Sequence, residues 1–188
     1  MNATIHQAFG SPEKNWIEDS LEDNGNYLCK CSTCEEQFVG HKRRIYCKTC
    51  RPKWNLFLDD IRQPEEAYAY TSFEKFATLD WLVVKDYNEF VQAVAVRGMP
   101  EFISFDHDLA DEHYTPPEYW TDYDRSKEYQ ESRQYQEKTG LDCAKWLVAW
   151  CLQWGCKLPD FYVHSMNPVG KDNIIAYLNQ YKKHEQNV

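Results

Sequence analysis

The sequence lacks a long hydrophobic run, a secretory leader and an internal repeat. Although 43% of its 188 residues are apolar and 15% are aromatic, no stretch approaches the ~20 consecutive apolar residues that a membrane span requires, which excludes a transmembrane protein. The first residues have neither the basic start nor the apolar run of a secretory signal, so we expect a cytoplasmic protein. The apolar fraction still supports a folded core, which excludes a disordered chain.

Basic residues are outnumbered by acidic residues, 21 to 30, and an excess of positive charge occurs in only one segment. The formal net charge is −9; residues 1–28 contribute −4 and residues 54–188 contribute −10, whereas residues 29–53 contribute +5. Because a phosphate backbone attracts clustered cations, only this basic segment is a candidate for attracting nucleic acid.

Five of the eight cysteines lie within the basic segment. Four of them form two CxxC pairs separated by twelve residues, Cys31 with Cys34 and Cys47 with Cys50. This spacing is typical of a zinc ribbon, so we expect a structural Zn²⁺ site over residues 27–52, with a hairpin from Phe38–Gly40 to Ile45–Tyr46. The alternative, four reduced thiols in a small core, leaves too little apolar surface for so short a segment to fold.

Other possible ligands are interpreted differently. Cys29 is an alternative to Cys31 at the zinc site. His41 lies in the basic sequence HKRR, where we expect it to be solvated. Cys143 and Cys151 lie on an apolar helical stripe, and we expect them to be small buried hydrophobic residues.

From Trp54 onward, short apolar runs alternate with helical patterns. The runs are 54–58, 81–84, 102–105 and 161–163, and helical spacing appears in 87–97, after Thr139-Gly140 and after Asn167. This alternation favours a parallel sheet with right-handed crossovers, for which we expect the strand order 2-1-3-4.

The patterns divide the chain into three parts. We expect a flexible lead-in (1–26), the zinc ribbon (27–52) and an α/β domain (53–188). Within the last part, residues 109–138 are rich in acidic and aromatic residues and form an insertion that is either a lid or partly helical over 127–138.

Polar clusters follow three of the four predicted strands. They are Asp59-Asp60, Asp106-His107-Asp108, and His164-Ser165 with Asn167. Parallel sheets bind ligands at the carboxyl ends of their strands, and several carboxylates at one edge are costly without a cation or protons. We therefore predict a functional site there, although each residue alone has a simpler interpretation: Asp59 or Asp108 as a helix cap, and His164 as a satisfied buried histidine.

The segments FLDDIRQP, FISFDHDL, TG and HSMNPVGKDNI, in this order, resemble the cyclic-phosphate-processing receiver-like domain of phage and bacterial proteins. The resemblance covers about residues 54–184. It implies a receiver-like (flavodoxin-like) parallel sheet with helices on both faces, and a phosphoesterase-type activity on cyclic phosphates, in cyclic nucleotides or at RNA ends. The ribbon is similar to an N-terminal zinc module common in phage proteins of this type, which implies a phage-encoded protein of the host cytoplasm.

The resemblance also assigns expectations to single residues. Asp59 and Asp60 match the acidic pair that holds Mg²⁺ in receiver folds, Asp106 matches the phosphoacceptor position, and Ser165 matches the hydroxyl after the fourth strand. The chain departs from signalling receivers because His107-Asp108 follows the central aspartate and no fifth strand ends in the usual lysine. A phosphorelay is therefore not expected.

Two functions remain open from the sequence. The first is a metal-assisted phosphoesterase that uses Mg²⁺ or Mn²⁺ and acts on a cyclic nucleotide or cyclic-phosphate RNA, which the basic ribbon would attract. Its expected catalytic residues are Asp106, His107, Asp108, His164 and Ser165, its substrate ligands Arg62, Asn167 and Asn173, and its cation ligands Asp59, Asp60 and Asp106.

The second function is a non-catalytic binding module. It would sequester a nucleotide, or dock a host protein through the aromatic insertion. A haloacid-dehalogenase-like phosphatase is a distant third, because DHDLA lacks the threonine that usually follows the second aspartate.

Overall fold

The structure, a computed structural model, describes residues 11–110, 116–119, 121–132 and 137–185. It divides after Lys53 into two compact units, and each is described by itself. Within the described ranges, no helix is long and apolar enough to cross a membrane.

The first unit carries a two-stranded antiparallel sheet, formed by β1 (Tyr27–Lys30) and β2 (Gln37–Gly40). The expected pairing of β2 with Ile45–Tyr46 is wrong, because β2 pairs with the strand that precedes the first CxxC, and this CxxC lies in the turn between the two strands. The carbonyl of Ile45 instead accepts a hydrogen bond from the backbone N–H of Ser32, within the first CxxC (2.9 Å).

The segment before the cysteines packs more closely than the predicted flexible lead-in. It forms two short 3-10 helices, Pro12–Lys14 and Ile17–Leu21, and Trp16 between them is buried against the cysteine cluster. The backbone N–H of Trp16 donates to the carbonyl of Val39 in β2, and its indole N–H donates to the carbonyl of Tyr46. Residues 1–10 of the predicted lead-in lie outside the described residues.

The second unit is built on a parallel sheet. Its four strands within the described residues are β3 (Asn55–Leu58), β4 (Trp81–Val84), β5 (Phe102–Phe105) and β6 (Asp160–Val163), in the spatial order β4-β3-β5-β6. This order confirms the predicted 2-1-3-4 arrangement and the receiver-like α/β fold. The register places the last residues of neighbouring strands level with one another.

Six α-helices lie in the described part of this unit. They are α1 (Pro64–Thr71), α2 (Lys75–Thr78), α3 (Tyr87–Arg97), α4 (Tyr123–Glu131), α5 (Gly140–Trp154) and α6 (Pro168–Glu185). The last two and α3 follow the predicted helical patterns, whereas α1 and α2, in the connection from β3 to β4, were not predicted. The insertion is partly helical, with α4 and a 3-10 helix at Pro117–Tyr119; its residues 111–115, 120 and 133–136 lie outside the described residues.

The two faces of the sheet have separate apolar cores, because side chains alternate along each strand. Leu56, Leu58, Ile103, Phe105 and Val163 pack with residues of α3, α5 and α6 on one face. Phe57 packs with Ala67 of α1 and Phe76 of α2 on the other. Helices therefore cover both faces, as the resemblance implied.

Candidate functional site

The carboxyl ends of β3, β5 and β6 meet at one edge of the sheet. The sheet's hydrogen bonds continue one residue beyond the strands: the N–H of Asp106 donates to the carbonyl of Leu58 (2.8 Å) and the N–H of His164 to that of Phe105 (2.9 Å). Nε2 of His164 lies 3.0 Å from Oδ2 of Asp59. The strand ends thus converge, as the predicted strand order requires.

Asp59 is a buried carboxylate with a full set of donors. Its Oδ1 accepts from the backbone N–H groups of Ile61 (3.0 Å) and Arg62 (2.7 Å), and its Oδ2 accepts from Nε of Arg62 (2.8 Å). Burial opposes the charged form, but the bonds from His164 and from Arg62 outweigh burial and lower the pKa of Asp59. These donors therefore favour the charged form of Asp59.

Arg62 joins two of the carboxylates. Besides bonding to Asp59, its Nη2 forms a short ion pair with Oδ2 of Asp106, and its Nη1 donates to the hydroxyl of Tyr70 (3.1 Å). That hydroxyl donates in turn to the carbonyl of His164 (2.8 Å). Burial opposes the charge of Arg62, but the two aspartates prevail and raise its pKa.

The other two carboxylates are less well compensated. Burial, followed by the charges of Asp59 and Asp106, raises the pKa of Asp60 to about 6. Burial also raises the pKa of Asp106, against the opposing effect of Arg62. The pKa values of Asp60 and Asp106 are thus raised although Arg62 lies beside both carboxylates.

His164 is fully buried, and contacts with other residues hold its ring. Its side chain is fully buried, its ring stacks on Phe57 with centroids 4.4 Å apart, and its Nδ1 lies 2.7 Å from Oγ of Ser104. Since Nε2 bonds to the carboxylate of Asp59, the serine hydroxyl donates to Nδ1 when the ring is neutral. Both ring nitrogens are thus engaged inside the protein.

His107 forms a second, adjoining cluster beside α6. Its Nδ1 lies 2.6 Å from Oδ1 of Asp108, and Nδ2 of Asn167 donates to both oxygens of Asp108 (3.0 and 3.2 Å). Oδ1 of Asn167 accepts from the N–H of Gly170 (3.0 Å). A Cβ on Gly170 would lie 2.2 Å from Cγ of His107, so the imidazole packs where only glycine leaves room.

Backbone and hydroxyl contacts connect the two clusters. Oδ1 of Asp106 accepts from the N–H of His107 (2.8 Å), and the Ser165 hydroxyl hydrogen-bonds to the same carboxylate. The N–H of Gly140, at the start of α5, donates to the carbonyl of His107 (2.8 Å). A Cβ on Gly140 would lie 1.8 Å from the carbonyl oxygen of Asp106, so the Thr139-Gly140 pair lets α5 approach this loop.

The comparison with protein families agrees with this geometry. The family model described as the cyclic-phosphate processing Receiver domain matches residues 54–180, about two thirds of the chain. The chain belongs to this family. Searches of curated proteins and of solved structures returned no match.

The Receiver domain brings together most of the residues predicted for its site. The two clusters contain Asp59, Asp60, Arg62, Asp106, His107, Asp108, His164, Ser165 and Asn167. Asn173 lies exposed on α6, and no hydrogen bond among the described residues joins it to either cluster. The roles of all these residues remain predictions.

Four residues that contribute to the two clusters were not predicted from the sequence. Tyr70 lies on the unpredicted helix α1. Ser104 was detectable as the one polar residue in the buried run FISF. Gly140 and Gly170 occur inside quoted motifs, but their need for close approach depends on the residues they meet in space.

The three carboxylates of the Receiver domain suit a divalent cation. Asp59, Asp60 and Asp106 each offer an oxygen, and these oxygens lie within 4.8 Å of one another. Carboxylate oxygens are the ligands that Mg²⁺ and Mn²⁺ prefer.

The cysteine cluster of the first unit has the dimensions of a zinc site. The sulfur atoms of Cys31, Cys34, Cys47 and Cys50 lie within 4.8 Å of one another. Zn–S bonds of ~2.3 Å in a tetrahedron place sulfurs ~3.8 Å apart, and those of Cys34 and Cys47 are 3.9 Å apart. Cys29 lies outside this group, with its Sγ 3.6 Å from the carbonyl oxygens of Tyr27 and His41.

The basic charge of the cysteine segment is largely offset within its own unit. Arg44 forms an ion pair with buried Asp19 (2.7 Å), and Lys48 forms one with buried Glu18 (3.0 Å). Counted over residues 1–53, the net charge is only +1. The net positive charge that was expected to attract RNA is therefore smaller for residues 1–53 than for the basic segment 29–53 alone.

Proposed function

We propose that this Receiver domain hydrolyses a cyclic phosphodiester at the edge formed by β3, β5 and β6. The observation that carries the proposal is the His107–Asp108 pair beside the carboxylate cluster. An imidazole held at Nδ1 by a carboxylate is the usual arrangement of a general base, and it adjoins acidic residues that suit a cation. Membership of the family supports a cyclic phosphate as the substrate class.

The reaction consumes one water and gives a phosphate monoester. A water oxygen forms a new bond to phosphorus, one ring P–O bond breaks, and the released alkoxide takes a proton. In our proposal, His107 accepts the proton of the attacking water and returns one to the leaving oxygen, while Asp108 and Asn167 hold the ring orientation. Ser165 fixes the carboxylate of Asp106.

The remaining residues prepare the site. Asp59, Asp60 and Asp106 would hold Mg²⁺ or Mn²⁺, which when bound polarises a phosphoryl oxygen and screens the carboxylates from the anionic substrate. We assign His164 to positioning, because both its ring nitrogens are engaged with Ser104 and Asp59. Asn173, exposed on α6, is a proposed contact for the substrate beyond its phosphate.

The charge distribution favours a small cyclic nucleotide over a long RNA. Residues 54–188 carry a net charge of −10 and residues 1–53 only +1, so a polyanion gains little long-range attraction. A zinc site built from four cysteines requires thiolates, and we therefore place this activity in a reducing cytoplasm, including that of a phage host.

The test is turnover of 2′,3′-cyclic mononucleotides and of a short RNA with a 2′,3′-cyclic end, with Mg²⁺ or Mn²⁺, followed by ³¹P NMR. We expect a monoester product, loss of metal-dependent turnover in Asp106→Asn, and a ~10²–10⁴-fold lower rate in His107→Ala. His184→Ala is the matched control, because His184 is exposed on α6, roughly 21 Å along the helix from Gly170 at 1.5 Å per residue. Stoichiometric retention of nucleotide without product would contradict hydrolysis and favour the binding-module hypothesis.

A further inference from the structure

Arg62 is more exposed to solvent than the two carboxylates that it joins. Its side chain is 20% exposed, whereas those of Asp59 and Asp106 are 0% and 1% exposed. The guanidinium is therefore accessible to a ligand from solvent, whereas the two carboxylates are not.

The guanidinium bonds to two of the three residues that could hold a cation. It contacts Oδ2 of Asp59 and Oδ2 of Asp106, and both residues belong to the candidate cation site. A carboxylate oxygen committed to a guanidinium is a poorer metal ligand, and two cations side by side repel each other. Arg62 and a divalent cation are thus competitors for these oxygens.

One partner of the guanidinium, the Tyr70 hydroxyl, would remain available if its bond to Asp106 were broken. The backbone N–H of Arg62 is fixed by Oδ1 of Asp59 (2.7 Å), so the side chain can turn while the loop stays in place. On the solvent side Nη1 already contacts the Tyr70 hydroxyl (3.1 Å), which is itself held by the carbonyl of His164. A guanidinium released from Asp106 keeps this partner and presents free N–H groups in the planar fork that suits phosphate.

We propose that Arg62 is a resident counter-ion that a divalent cation displaces from Asp106 onto the phosphate of the ligand, so that cation and phosphate bind cooperatively. This inference rests on the cation site of the proposed function. A counter-ion role differs from a role in phosphate binding alone in one respect: without ligand, Arg62 opposes binding of the cation.

The experiment measures Mn²⁺ binding to the full chain by calorimetry, without and with inorganic phosphate. For the wild type we expect phosphate to tighten Mn²⁺ binding tenfold or more. Arg62→Gln should bind Mn²⁺ alone about tenfold more tightly than the wild type, since removing one adjacent positive charge is worth at least that much at this separation, and phosphate should then add less. Arg62→Lys keeps the charge and should stay near the wild type, and Arg97→Gln, an exposed arginine on α3, is the matched control.

Mn²⁺ binding by Arg62→Gln that is no tighter than in the wild type, with an unchanged amide NMR spectrum outside the site, would overturn the inference. So would a wild type that binds Mn²⁺ equally with and without phosphate, or not at all. The hydrolysis proposal is judged separately by product formation: cooperative binding without turnover contradicts only hydrolysis, and turnover with unaltered Mn²⁺ affinity in Arg62→Gln contradicts only the role of Arg62.

Discussion

Gly170→Ala tests the packing of His107 without any assumption about the reaction. The added Cβ would lie 2.2 Å from Cγ, 2.5 Å from Cδ2 and 2.6 Å from Nδ1 of the imidazole. Since carbon atoms in contact sit ~3.5–4.0 Å apart, the ring must move by more than ~1 Å. Its bond to Asp108, 2.6 Å long, cannot survive that shift unchanged.

Two effects of opposite sign determine how much Gly170→Ala changes the free energy of unfolding. Alanine is better than glycine within a helix by up to ~1 kcal/mol, whereas forcing extra volume into a packed site costs ~1–3 kcal/mol. We therefore expect Gly170→Ala to leave the free energy of unfolding unchanged or to lower it by up to ~2 kcal/mol. In a His107→Ala background the steric cost disappears, and the same substitution should stabilise the domain by up to ~1 kcal/mol.

Urea unfolding of the four proteins of this double-mutant cycle, followed by tryptophan fluorescence, gives the coupling energy. Six of the seven tryptophans follow residue 53, so the signal reports mainly the Receiver domain. We expect a coupling of ~1–3 kcal/mol between Gly170 and His107. An equal effect of Gly170→Ala in both backgrounds, within the ~0.5 kcal/mol scatter of independent sites, would refute the packing described here.

Three further predictions concern the zinc site, a helix cap and the buried serine. Native mass spectrometry should show one zinc per chain, and Cys34→Ser should lose the metal and the amide signals of the first unit while the Receiver domain stays folded; an intact metal-free ribbon would contradict this. Although burial opposes it, hydrogen bonds from the backbone and hydroxyl of Thr139 lower the pKa of Asp142. Asp142→Ala should therefore cost ~1 kcal/mol at pH 7, and the difference in urea midpoint from the wild type should shrink as the pH falls through the lowered pKa of this carboxyl. Ser104→Ala removes the partner of a fully buried His164 Nδ1 and should lower the free energy of unfolding by ~1–3 kcal/mol, whereas unchanged stability would mean that this bond contributes little.

The sheet was predictable because each four-residue strand contains at least three apolar residues and polar residues follow it immediately. Helices α1 and α2 were not predictable, because few of their residues are buried. In α1 only Pro64 and Ala67 are buried, so its sequence lacks a clear apolar stripe. The expected zinc hairpin was wrong for a related reason, since the partner of β2 is the largely exposed strand β1, which carries no apolar periodicity.

Most members of the candidate site were predictable from the sequence, but the contacts that pair them were not. The sequence places Arg62 three residues after Asp59, and it does not reveal that the chain turns back so that the guanidinium also reaches Asp106. The engagement of both His164 nitrogens depends on Ser104, which reaches the ring from the neighbouring strand β5, 60 residues earlier in the chain. Contacts between strands of this kind follow from register, which spacing along one strand does not specify.

Because Trp16 packs against the cysteine cluster, we expect the smallest stable zinc-binding fragment to include the segment before β1. A fragment cut according to the cysteine spacing would begin at Tyr27 and omit Trp16, together with Asn15, whose Oδ1 accepts from the N–H of Val39 (2.7 Å), and Asp19, which binds Arg44. Such a fragment keeps all four thiols but exposes the apolar side of β2 and lacks the carboxylates that pair with Arg44 and Lys48. We expect it to bind zinc and yet to aggregate or to be cut rapidly by proteases, whereas a fragment starting at residue 11 should resist digestion as long as zinc is present.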